Sequence, residues 1–391
     1  MTVLSGLDQI ETRWPRFLRD ARVGLVVHPA SVNRSLHHAS VVAARSRKFT
    51  VRSFLGPQHG IYGETQDNMV EWEGFRDRRT GLPVYSLYGR TRKPRPEMLS
   101  DLDALVVDLQ DVGARYYTFI WTMELCMQAC EESGRPLIVL DRPNPVGGIL
   151  QEGPILDMRY ASFVGLRPLP VRHGMTMGEI GTYLAREFHP SLDFFVITMR
   201  GWRRDMWFHD TGLPWVLPSP NMPTVETATV YPGMCLIEGT TLSEGRGTTR
   251  PFEIFGAPWV EPEGLVRRLE EFRLPGVRFR PLYFRPTFQK HADRLCGGAQ
   301  IHVSDRLRFR PFKTAVAILK AVRELNHREK LWRDPPYEYE TEKLPFDILS
   351  GSDRLRKDID RSESLKNMEG WWSEETRRFA KTLRASSLLY A

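Results

Sequence analysis

The chain predicts an α/β fold: a parallel sheet wrapped by helices over residues 1–158, followed by a second α/β domain over residues 159–391. Three observations carry that expectation. Short apolar runs alternate with helical patterns through the first 150 residues, the rhythm of parallel strands joined by helical crossovers. The runs are too continuous for a sheet with one wet face, so both faces are covered. From about residue 160 the texture changes to loops rich in Pro and Gly, and then to a later set of helices and strands.

Taken in order, Arg22-Val-Gly-Leu-Val-Val27 reads as the first buried strand and residues 37–47 as a helix. Residues 49–55, 104–108 and 136–140 read as three more strands, with a long apolar helix over 117–132 before the last. Thr176 with Glu179 three residues on is a capping-box start for a helix reaching about residue 188. Residues 194–199 follow as a strand, and 211–258 read mostly as loop. Helices near 263–272 and 312–326, strands near 277–284 and 299–303, and a last helix near 369–384 complete the second domain. The division falls near residues 157–162.

Of 391 residues, 41% are hydrophobic and 26% charged, an ordinary globular balance. The net charge of +7 suits an anionic ligand. The arginines are scattered and no basic block with interleaved aromatics occurs, so no nucleic-acid partner is expected. Cys126 and Cys130, spaced i, i+4 in an apolar helix, read as core, and four cysteines in a chain this long do not form a disulfide framework. The opening segment lacks a basic region followed by an apolar run, and no stretch reaches the roughly 20 apolar residues of a membrane span. A cytoplasmic setting away from membranes is the expectation.

Polar loops follow each strand candidate: His28-Pro-Ala-Ser-Val-Asn33, residues 56–67, Gln110-Asp-Val-Gly-Ala-Arg-Tyr-Tyr117 and Asp141-Arg-Pro-Asn-Pro-Val-Gly-Gly148. In open α/β sheets that edge is where ligands bind. A longer loop, residues 237–253, adds Glu238, Glu244, Glu253, Arg246 and Arg250 among threonines and glycines. Such a set suits a polyhydroxylated, partly anionic ligand. No Gly-x-Gly-x-x-Gly or Walker motif accompanies the strands, which argues against a nucleotide site. No His-Glu-x-x-His or paired-Cys spacing occurs, so neither metal nor cofactor is expected. No Gly-x-Ser-x-Gly elbow supports a serine nucleophile. Carboxylates are left: Glu64, Asp67, Asp108, Asp111, Asp141, Glu152, Glu238 and Glu244. Glycoside hydrolysis uses two such groups across a cleft. His59 and His173 read as hydrogen-bonding or proton-transfer partners, Tyr116 and Trp215 as surfaces on which a sugar could stack.

Eight ordered blocks then point to one family: Gly56-Pro-Gln-His-Gly60, Thr80-Gly-Leu-Pro-Val-Tyr-Ser-Leu-Tyr-Gly89, Asp108-Leu-Gln-Asp-Val-Gly-Ala-Arg-Tyr-Tyr-Thr118, Leu140-Asp-Arg-Pro-Asn-Pro145, Glu152-Gly-Pro154, Arg172-His-Gly-Met-Thr176, Pro218-Ser-Pro-Asn-Met-Pro223 and residues 238–253. Across nearly its whole length the chain resembles the NamZ-type exo-β-N-acetylmuramidases. The resemblance implies a Rossmann-like N-terminal domain and a second α/β domain with the active site in the cleft between them. It implies metal-independent release of N-acetylmuramic acid from the non-reducing ends of peptidoglycan fragments, here as recycling inside the cell. An arginine among Arg115, Arg246 and Arg250 would bind the lactyl carboxylate. Asn144, Asn221 and His173 would bond hydroxyl or acetamido groups, with Asp111, Tyr116, Glu152 and Glu238 completing the binding set. The family's loop reads Gly-Pro-Glu-His-Gly, whereas this chain has Gln58, and an amide cannot carry a catalytic proton as a carboxyl does. Three readings stay open. Glu64 takes over as acid, with Glu244 next in line and Glu238 and Glu152 behind. Or the substrate's acetamido group is the nucleophile, oriented by Gln58 beside His59. Or the chain is a catalytically silent binder of muropeptides or amino sugars.

Overall fold

The computed structural model describes residues 2–63 and 70–391. Its strands are β1 (Ala21–Val27), β2 (Phe49–Gly56), β3 (Phe75–Arg76), β4 (Pro83–Ser86), β5 (Ala104–Asp108), β6 (Leu137–Leu140), β7 (Glu152–Ile155), β8 (Pro170–Arg172), β9 (Phe194–Ile197), β10 (Ile254–Ala257), β11 (Val277–Phe284) and β12 (Cys296–Val303). Seven form one sheet in the order β3-β4-β2-β1-β5-β6-β9. Only β3, beside β4, runs antiparallel. β5 and β6 are buried along their whole length, which is why they read as unbroken apolar runs. Their residues alternate between two cores. Val107 and Leu105 face a cluster that runs on through Trp121, Met234 and Phe312, while Val106 and Ile138 face a second cluster with Leu25 and Val27.

The order reverses around β1: β2 lies on one side of it and β5 on the other. At such a reversal the loops leaving the carboxyl ends diverge and open a crevice. The loops carrying Gln58 and Asp111 leave from these ends.

The second half is built on the antiparallel sheet β10-β12-β11, with the helix Pro311–Leu325 packed against the helix Val225–Met234. Thr176 caps the helix Met177–Phe188 as expected: its hydroxyl accepts from the Glu179 amide at 3.2 Å, and the Glu179 carboxylate accepts from the Thr176 amide at 3.0 Å. Among the described residues, four helices start with Pro at the first turn, where a missing N–H costs nothing.

The segment read as loop over 211–258 holds the helix Val225–Met234 and the strand β10. Proline at 232 hid the helix, which burial sustains nonetheless. β9 lies beyond the expected division at 158/159, yet it pairs with β6 and covers that edge of the first sheet.

The C-terminal segment also returns to the first sheet. The Tyr390 hydroxyl donates to Asp141 Oδ2 at 2.6 Å and accepts from the Met199 amide at 2.8 Å, and the Leu389 amide donates to Glu179 at 3.0 Å.

Candidate active site

A small cavity of about 40 Å³ lies where the carboxyl edge of the first sheet meets the second half of the chain. Gln58 and His59 reach it from the turn after β2, and Tyr116 to Phe119 from the loop after β5. Ser219 and Asn221 come from the proline-rich loop; Glu238, Arg246 and Phe252 from the polar loop; Tyr337 and Glu338 from a late segment. The turn at 58–60 is tight, with φ of +69° at His59 and +76° at Gly60.

Two carboxyl groups line this cavity in different settings. Glu238 is buried, with the Arg246 guanidinium at 2.8 Å and the Tyr337 hydroxyl donating at 2.9 Å. Glu338 is buried too, and accepts from the Tyr88 hydroxyl at 2.9 Å. Burial and the nearby Glu238 carboxylate push the Glu338 carboxyl up to about 7, against the pull of Tyr88, Arg92 and Arg246. Gln58 belongs to the same chain of bonds. It accepts from the Thr118 hydroxyl at 2.8 Å and donates from its amide to the Tyr88 oxygen at 3.2 Å. Thr118, Gln58, Tyr88 and Glu338 therefore form one directed relay.

The opposite wall is aromatic. Tyr231 meets the rings of Tyr116, Tyr117 and Phe252 edge to face at 5.7, 5.8 and 4.9 Å, and Arg246 lies 5.2 Å over Phe252. Arg246 keeps one buried donor, Nε, without a hydrogen-bond partner in the protein. The polar loop is folded tightly enough that a Cβ on Gly245 would come within 2.7 Å of the Ile254 carbonyl, and one on Gly247 within 2.6 Å of the Phe288 carbonyl. These glycines serve close approach of the chain to itself.

Of the expected site residues, Gln58, His59, Tyr116, Asn221, Glu238 and Arg246 meet at the cavity. Glu64 lies outside the described residues. Arg115 needs correcting. Its buried guanidinium donates to the carbonyls of Pro154, Leu169 and Leu349 at 2.7–2.9 Å, so it braces the fold away from the cavity lining. Asn144 is likewise used up in its own turn, donating to the Met175 carbonyl and accepting from the Val146 amide. Glu152 pairs with Arg172 at 2.9 Å and accepts from the Phe312 amide. Asp111 accepts from the Gly113 amide and faces His173 Nε2 at 3.2 Å, both buried away from the cavity lining. Arg250 is half exposed and pairs with Glu253 at a separate surface groove.

Glu244 lies behind the cavity rather than on it. Burial alone would raise its carboxyl, but the Lys290 ammonium at 2.9 Å and Arg246 at 3.7 Å outweigh that and hold it below the ordinary value. Trp215 packs edge to face on Phe208 and donates to the Met222 carbonyl, away from the cavity. Among the described residues, no group of three His, Cys, Asp or Glu is placed to hold a metal, and no helix is long and apolar enough to cross a membrane.

Sequence reasoning missed Tyr88, Tyr337 and Glu338. The signal was faint: a Tyr-Glu-Tyr run after two prolines, and a Tyr inside a block quoted only for its resemblance.

A parallel α/β sheet with a tyrosine-walled cavity holding two unlike carboxyl groups at its carboxyl edge defines an acid/base site for a small polar ligand. The chain belongs to the exo-β-N-acetylmuramidase NamZ family: residues 23–226 match the family's N-terminal domain and residues 229–390 its C-terminal domain. It is 44% identical over 389 residues to the peptidoglycan β-N-acetylmuramidase NamZ of Bacillus subtilis (strain 168), a match covering 99% of this chain and 91% of that protein. Two DUF1343 family proteins of Bacteroides fragilis NCTC 9343 share the structure. One superposes with a TM-score of 0.89 at 32% identity, the other with 0.77 at 30%, each over 100% of this chain and 99% of its own.

Proposed function

We propose that this chain is an exo-acting glycosidase that releases N-acetylmuramic acid from the non-reducing end of peptidoglycan fragments, working on fragments recovered in the cytoplasm. The observation that carries this reading is the cavity itself, with Glu238 and Glu338 on one side and Arg246 beside an aromatic wall. Tyr116, Tyr231 and Phe252 offer apolar surface to a sugar face. Arg246 Nε is a donor suited to the lactyl carboxylate that distinguishes muramic acid from glucosamine. Asn221, on the cavity lining, would bond the acetamido or hydroxyl groups. All four cysteines are free and buried, which fits a reducing compartment.

The test is release of nitrophenol from para-nitrophenyl β-N-acetylmuraminide beside the matching N-acetylglucosaminide, with mass spectrometry of products from a muramyl–glucosamine disaccharide. Turnover restricted to the muraminides supports the reading. Tight binding with no turnover on prolonged incubation would replace it with a binding protein, the role Gln58 would suit.

A further inference from the structure

We propose that Glu338 is the acid that protonates the departing saccharide, filling the role that the resemblance assigns to a carboxyl at position 58. The inference rests on the glycosidase reading and names the group that moves the proton.

Direction in the hydrogen-bond relay is the first support. The Gln58 amide nitrogen can only donate, so the Tyr88 oxygen accepts from it and the Tyr88 proton is committed to Glu338 Oε2. A carboxylate at position 58 would claim the same proton. With an amide there, the relay ends on one carboxyl, which lines the cavity.

The second support is the contrast between the two cavity carboxyls. Glu238 takes a guanidinium and a tyrosine hydroxyl, partners suited to a charged carboxylate. Glu338 faces Tyr88 and Arg92 from one segment, Glu238 and Arg246 from the polar loop, and Tyr337 and Tyr339 beside it. Burial and the nearby Glu238 carboxylate keep about half of it protonated near pH 7. A carboxyl raised by burial beside a second carboxylate is a setting that suits a general acid.

Backbone conformation is the third support. Glu338 and Tyr339 both hold positive φ, +45° and +69°, a conformation that costs energy in non-glycine residues, and the Glu338 side chain it carries is buried.

In the reaction, the C1–O bond to the leaving sugar breaks and its electron pair stays on that oxygen, which takes the Glu338 proton and departs as an alcohol. Water supplies the oxygen that ends on C1, and the proton it sheds restores the Glu338 acid. One water is consumed, and nothing is oxidised or reduced.

The experiment compares wild type and Glu338→Gln on two muraminides, the para-nitrophenyl glycoside and the muramyl–glucosamine disaccharide. Nitrophenol leaves without needing a proton; a sugar alcohol does not. Loss of a general acid costs about 10²–10⁴-fold. The expected result is therefore a fall in kcat of about 10³-fold on the disaccharide and no more than about tenfold on the nitrophenyl glycoside. Should the variant fail to fold, wild type alone gives a second reading: kcat/KM on the disaccharide falls as pH rises through about 7, while the nitrophenyl rate stays flat there. Equal losses on both substrates, or matching pH profiles, would overturn the assignment and leave Glu338 a structural residue. Wild type silent on both glycosides would overturn the glycosidase reading and this assignment with it.

Discussion

Arg115 gives a direct test of how the fold holds its site. The sequence placed it among substrate-binding candidates, whereas the structure shows three bonds to carbonyls from three separate segments, at Pro154, Leu169 and Leu349. Burial pushes the guanidinium down to about 10, so the group is charged yet stripped of water. Hydrogen bonds to a charged group contribute about 1.5–3 kcal/mol each, so truncation to Met removes on the order of 4–9 kcal/mol and deprives three buried carbonyls of their charged donor. That compares with a total stability of about 5–15 kcal/mol for a typical domain. Arg115→Met should therefore fail to accumulate as folded protein. Arg115→Lys keeps the charge but not the fork, and should lose roughly half as much. The assay is urea unfolding followed by tryptophan fluorescence. Trp121 is a built-in reporter, because its indole donates to the Arg115 carbonyl at 2.8 Å. Muraminide KM in the surviving Lys variant should stay within about twofold of wild type, since no Arg115 atom lines the cavity. Unchanged urea midpoint with a strongly raised KM would refute the bracing role and return Arg115 to the substrate.

Three further outcomes follow from the same geometry. Arg246→Lys keeps a cation near Glu238 but removes the fork, so KM for the muraminide should rise about 10–100-fold while the glucosaminide changes little; equal shifts would disprove the lactyl contact. Glu244→Gln leaves the Lys290 ammonium with only the Ile237 and Leu242 carbonyls and should cost about 3–5 kcal/mol. Because the Glu244 carboxyl is held below its ordinary value, the stability it contributes is present above the unfolded value and is lost as pH falls through the folded one, so the gap between wild type and variant should narrow in acid. A gap that widens in acid would contradict it. Burial raises Asp141 to about 6 despite donors from Tyr390, Gly178 and Thr176. A raised carboxyl gives stability that is full below the unfolded value and is lost as pH rises through about 6. Tyr390→Phe removes a donor to the ionised form, so its deficit in urea midpoint should be larger at high pH than at low pH, reaching about 1–2 kcal/mol; a pH-independent deficit would count against the argument.

The buried strands β1, β5 and β6 were legible because almost every residue in them is covered, and their apolar runs show it. The helix Val225–Met234 was not, because local propensity argues against a helix containing proline and only its burial outweighs that. The site divides along a similar line. Gln58, His59, Asn221, Glu238 and Arg246 sit in polar loops whose chemistry is visible one residue at a time. Glu338 was invisible because what makes it distinctive is a contact with Tyr88, 250 residues away in sequence, together with a backbone turn at positive φ. Arg115, Asn144 and Glu152 misled for the opposite reason. A polar side chain in a polar loop looks available until its partners are known, and here those partners are backbone groups and, for Glu152, Arg172 as well.

The return of Tyr390 to Asp141 bears on how the protein is made. Asp141 sits at the end of β6, in the middle of the first sheet's folding unit, and waits for a hydroxyl carried some 250 residues further along. A chain leaving the ribosome from its N-terminus exposes that unit with a buried carboxylate lacking one of its donors until residue 390 has been made. The first half is thus held in an unfinished state during translation, and its final stability is coupled to the arrival of the second. Truncated translation products should be more readily cleared by proteases than a self-sufficient sheet domain would be, so premature termination would leave little partly formed site behind.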